Sequence, residues 1–164
     1  MARDAIARQY DVDKNAVVYL CETDKGSYRP GKISFSPKQG KSLDLRKMHE
    51  SITATRLSGG TSMGMDYLEI TATGEVVVDA QTVLFKVSGT TQQFVLKEES
   101  TKDGTKSPLA RLREALTSGA KVVSVTGRVE GWSGRFPVVL GALAKRPADA
   151  PVALVVTDFE MSKK

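Results

Sequence analysis

The sequence predicts a mainly β chain of the α+β class, in which a small strand-strand-helix unit packs on a five-stranded Greek-key barrel carrying one capped helix. Three observations lead there. A strict apolar–polar alternation runs from Leu68 to Val78 with Gly74 inside it. A second long strand-like segment, Lys121 to Glu130, has Gly127 within it. Between these lies a sharply delimited helix: Ser107 at the N-cap, Pro108 at the first helical position, Leu109, Leu112 and Leu116 on one face, and Gly119 to stop it.

The elements follow in chain order. Residues 1–14 alternate charged and small side chains without a clean period and read as a loose or short helical lead-in. Ala16 to Cys21 is an apolar run of strand length, and Glu22 to Gly31, with Gly26 and Pro30, is turn material. Lys32 to Ser36 alternates, with Ile33 and Phe35 on one face, and Pro37 ends it. After a polar loop, Ser42 is placed to cap a helix in which Leu45, Met48, His49 and Ile52 recur at spacings of three and four. Gly59-Gly60 is its expected stop. Residues 1–62 therefore make a small α+β unit and residues 63–164 the barrel domain, with the seam between Leu57 and Met65.

In the barrel, Leu68, Ile70, Ala72, Gly74, Val76 and Val78 share one phase of the first strand, and the mid-strand glycine predicts a bulge or bend of the kind barrel closure needs. Val83, Phe85 and Val87 line one face of the second strand, and Gln93 to Lys97 is the third. The fourth is Lys121 to Glu130. A loop, the apolar segment Pro137 to Leu140 and a further loop lead to the closing strand, Pro151 to Phe159.

Composition narrows the chemistry. The single cysteine, Cys21, excludes an internal disulfide and any zinc site built from paired cysteines of one chain. With His49 the sole histidine, a Ser-His-Asp or Cys-His catalytic unit would have to run through that position. No carboxylate pair stands out, and neither Ser58 to Ser62 nor Ser88 to Thr91 carries a phosphate-binding fingerprint. The chain is expected not to be an enzyme and to need no cofactor. The net charge is +5, and the bias sits early: residues 1–62 hold 11 basic and 7 acidic residues, residues 63–164 hold 13 and 12. Such a balance permits a polyanionic partner without requiring one. No apolar run reaches the roughly 20 residues of a membrane span, and charges occupy the start where a signal peptide would be apolar. A cytoplasmic chain is expected, although a mature exported chain would begin the same way.

The loop Gly131-Trp-Ser-Gly-Arg-Phe-Pro137 sets the only tryptophan, Trp132, between glycines, near Arg128 and Arg135, with Lys145 and Arg146 further on. Aromatic faces that stack bases, beside cations that track phosphates, are what single-stranded nucleic acid requires. The alternative is that Trp132 packs on Phe136 at the barrel end with the arginines in solvent. Phe85 shares the phase of Val83 and Val87 and reads as core. Val95 and Leu96 leave the phase of Phe94 open, so the third strand can present Gln92, Phe94 and Lys97 outward. Cys21 and His49, with Met48, could form a soft metal site if strand and helix pack together; otherwise they are ordinary interior or boundary residues.

The order and lengths of the elements in residues 66–159, with the two mid-strand glycines and the capped helix, resemble the OB-fold superfamily. That resemblance implies ligands lying across the second and third strands and the loops joining strands one to two and four to five. Lys32-Ile-Ser-Phe-Ser-Pro37, followed by a helix through Lys47-Met-His-Glu-Ser-Ile52, is similar to the strand-and-helix half of a heavy-metal-associated domain. Members of that family hold copper or mercury on a Cys-x-x-Cys loop, which residues 16–57 lack. Two functional expectations follow. One is a non-catalytic module binding single-stranded nucleic acid weakly through Trp132, Arg128, Arg135, Phe94, Lys145 and Arg146. The other is a degenerate metal-handling or adaptor protein acting through protein contacts, with Cys21 and His49 as its metal ligands.

Overall fold

The computed structural model describes residues 2–10, 17–20, 23–24, 27–28, 32–36, 38, 40–54, 67–79, 81–99, 105–117, 122–130 and 151–161. The chain forms two compact units, Met1–Gly64 and Met65–Lys164.

The first unit opens with a regular helix, α1 (Ala2–Tyr10), where the sequence predicts a loose or short helical lead-in. Ile6, Ala7 and Tyr10 recur at spacings of one and three on its buried side, which is enough to organise two and a half turns once a partner helix is present. That partner is α2 (Leu45–Thr53), whose Leu45, Met48 and Ile52 are buried at the expected three- and four-residue spacings. Two details of α2 differ from expectation. The N-cap is Asp44, not Ser42: the Asp44 carboxylate accepts from the Lys47 backbone N–H at 3.0 Å. The helix ends at Thr53 with Ala54 as C-cap, well before Gly59-Gly60, which lie outside the described residues. Strands β1 (Val18–Leu20) and β4 (Lys32–Ser34) pair antiparallel. The segment between them is more than a turn, since β2 (Thr23–Asp24) and β3 (Ser27–Tyr28) form a two-residue ladder inside it. Tyr10 ties the unit together: its ring stacks on Phe35 at 5.2 Å, and its hydroxyl donates to the Asp44 carbonyl at 3.1 Å. Burial, and secondarily the Asp44 carboxylate, push the Tyr10 phenol up to about 12.

The second unit is a closed five-strand barrel, and the described chain is mainly β with few helices. Its strands are β5 (Glu69–Val78), β6 (Val83–Val87), β7 (Gln93–Lys97), β8 (Val122–Val129) and β9 (Val152–Met161). The order around the wall is β5-β6-β7-β9-β8 and back to β5, with only β7 and β9 parallel, an arrangement compatible with an OB-like topology. Closure depends on β5 serving two neighbours. Residues 69–75 pair with β8 and residues 74–78 with β6, so Gly74 is where one strand hands over to the other. Gly74 stays in register with both Val87 and Val123; the irregularity falls instead between Thr126 and Gly127, where β9 carries an extra residue against β8.

The barrel interior is filled by Val83, Phe85, Phe94, Leu96, Val123, Val125, Val129, Leu154 and Val156. Between β7 and β8 runs α3 (Pro108–Leu116), with Ser107 as N-cap accepting from the Ala110 N–H at 3.1 Å. Its buried Leu109 and Leu112 extend the core, and it packs against β9, where the Arg111 guanidinium lies 5.8 Å from the Phe159 ring centre. Among the described residues no helix is long and apolar enough to cross a membrane.

Candidate functional site

Strand register arranges the charged surface of the barrel. Glu69 on β5 opposes Arg128 on β8, Arg128 opposes Val155 on β9, and Val155 opposes Lys97 on β7. These four side chains form one row along the outer wall. Arg128 Nε lies 3.5 Å from Glu69 Oε2, and Lys97 donates to both carboxylate oxygens of Glu130 at 2.9 and 2.7 Å. Both cations are thus ion-paired at the surface, where such pairs contribute at most about 1 kcal/mol. The Arg128 guanidinium also lies over the Tyr67 ring, 4.5 Å from its centre, and Tyr67 is 49% exposed.

Of the residues singled out from the sequence for nucleic-acid contact, Arg128 is therefore placed on the surface. Phe94 is not. It is 1% exposed and pairs directly with Phe85 inside the barrel, so its ring is closed to a ligand. Gln93, Val95 and Lys97 take the outward phase of β7 instead. The ambiguity is resolved by β6: once Phe85 points inward, its cross-strand neighbour must do the same. Trp132, Arg135, Lys145 and Arg146 lie outside the described residues, as does Cys21. His49 belongs to α2, with its side chain outside what is described, and the neighbouring Met48 is buried among the apolar residues of its unit. Among the described residues no three His, Cys, Asp or Glu side chains gather into a metal-binding group.

The outer walls differ in chemistry. Across β5, β8 and β9, Thr71, Ser124, Thr126, Asp158 and Glu160 line a shallow depression of about 110 Å³, in which the Thr71 and Thr126 hydroxyls are 2.9 Å apart. Two carboxylates and no cation among its lining residues make this depression unsuited to a phosphate backbone. Across β5, β6 and β7, Val77, Leu84 and Val95 stand side by side in register as an apolar row, next to Glu75, Lys86 and Gln93. The described part of the second unit holds six basic residues (Lys86, Lys97, Lys106, Arg111, Arg113, Arg128) against nine acidic ones. The remaining stretches of residues 65–164 hold seven basic and three acidic residues. Positive charge in this unit therefore belongs to the segments between and beyond the described elements.

Tyr67 was missed as a candidate, although the alternation of β5 contains the signal. It shares the odd phase of Glu69, Thr71, Thr73 and Glu75, the exposed side of the strand. Comparisons with protein-family models, with curated proteins and with solved structures found no match.

Proposed function

We propose that this chain is a non-catalytic binding module whose second unit is an OB-fold barrel with single-stranded nucleic acid as its weakly bound ligand. The observation that carries the reading is the division of charge in that unit. Its described elements are net acidic, whereas the stretch after β8 brings Arg135, Lys145 and Arg146 together with Trp132 in one twenty-residue segment. In an OB-fold the connection from the fourth to the fifth strand borders the ligand, and an anionic strand is drawn to cations interleaved with aromatic faces. The barrel then acts as a rigid frame from which that connection departs. Arg128, at the end of β8, is the described cation nearest to it along the chain.

Titration of the full chain with a mixed single-stranded oligonucleotide, followed by the fluorescence of its one tryptophan at low and moderate salt, tests the reading. A saturable change that weakens with salt is expected, and Trp132→Ala should lower affinity. Unchanged affinity in Trp132→Ala would remove the proposed site. The apolar row Val77, Leu84 and Val95 favours a second reading, an adaptor docking another protein on the β5-β6-β7 wall. A flat titration in both buffers would make that the better assignment. Copper(I) binding lost in Cys21→Ser would instead revive the metal-handling version.

A further inference from the structure

Tyr67 and Arg128 stand apart from the rest of the second unit's surface among the described residues. The other large apolar side chains exposed among the described residues are valines, Val77, Val78 and Val122, so Tyr67 supplies the one large exposed aromatic face. Neither member of the pair is used by the core. Their placement is nevertheless defined: Arg128 is in register with Glu69, the first residue of β5, Tyr67 lies two residues before Glu69, and the guanidinium lies 3.5 Å from the Glu69 carboxylate and 4.5 Å from the ring centre. A planar cation on β8 and a planar ring just before β5 thus meet at the surface, beside the backbone hydrogen bond from the Val129 N–H to the Leu68 carbonyl. A tyrosine face stacks any base, and a guanidinium can stack while its N–H groups bond a phosphate.

We infer that Tyr67 and Arg128 form a stacking platform for one nucleobase of single-stranded nucleic acid, with Arg128 binding the adjacent phosphate; this rests on the function proposed above. Glu69 has an opposing role. It positions Arg128 in the free protein and competes with the phosphate for it, so removing its charge should tighten binding.

The test is anisotropy of a fluorescently labelled oligothymidylate with the full chain at low salt, comparing wild type with Tyr67→Ala, Tyr67→Phe, Arg128→Lys and Glu69→Gln, each checked by thermal melting. Tyr67→Ala is expected to weaken binding about five-fold or more, the lower end for one stacked base. Tyr67→Phe should bind within about two-fold of wild type, since the ring face is what stacks. Arg128→Lys should weaken binding despite its conserved charge, and Glu69→Gln should strengthen it. If wild type binds and Tyr67→Ala and Glu69→Gln both match it, the platform is wrong while the proposed function stands. If wild type does not bind, both fall. Should Tyr67→Ala fail to fold, the phenylalanine, lysine and glutamine variants still decide.

Discussion

At Gly74 the chain has no room for a side chain. A Cβ there would run into the Lys86 carbonyl and lie 2.9 Å from Phe85 Cε2, while one at Gly127 would lie 2.6 Å from the Val155 carbonyl oxygen. Gly89 differs, with open space around it but a φ of +71°. Gly74→Ala should therefore destabilise the barrel by about 3 kcal/mol, the upper end of overpacking costs, because the clash is with backbone, and Gly89→Ala by about 1–2 kcal/mol through its left-handed backbone. Urea unfolding of the two variants checks this, and equal costs would refute the close-approach argument. Tyr10 supplies a pH dependence. Its phenol ionises near 10 in the unfolded chain and near 12 in the folded one, so its contribution is complete below pH 10 and is lost as pH rises towards 12. Alkaline melting should show Tyr10→Phe losing less stability than wild type between those limits. The sequence marks both glycines as special by their place in alternating strands. That the reason at Gly74 is steric, with no bulge there, depends on which carbonyl faces it.

Among the elements, α3 is legible almost completely from its own residues, because Ser107, Pro108 and the leucine spacing are local signals. The start of α2 is less so: Ser42 and Asp44 are both good caps two residues apart, and the choice falls to the one whose oxygen reaches the N–H three residues on. Asp44→Ala and Ser107→Ala should each cost about 1 kcal/mol in thermal or denaturant unfolding. The phase of β7 is an element-level property too. Phe94 and Leu96 point inward because β6 and β9 pair on either side of them. Phe94→Ala should accordingly cost about 3–5 kcal/mol, as removal of a buried phenylalanine does. Near-wild-type stability together with lost oligonucleotide binding would reverse the assignment of Phe94 to the core.

For the whole molecule, the net charge of +5 conceals an uneven distribution, because the described part of the barrel unit is acidic and the stretches outside it are basic. Seven basic residues offset by three acidic ones leave few cations for phosphates. The log–log salt dependence of oligonucleotide affinity should therefore be no steeper than about −3. A markedly steeper slope would place the anion contacts elsewhere, including the basic first unit.

The sequence by itself determined the mainly β character, the order of the barrel strands along the chain, the capped helix between the third and fourth, and the alternation by which Ile70 and Gly74 of β5 turn inward. These follow from periods of two and 3.6 and from cap chemistry, which act between residues close in the chain. Only the tertiary structure decided that β7 runs parallel to β9, that Phe94 is core, and that Tyr67 meets Arg128 some sixty residues later. Pairing between distant strands sets these contacts, since closing the barrel fixes register, and register determines which side chains become neighbours.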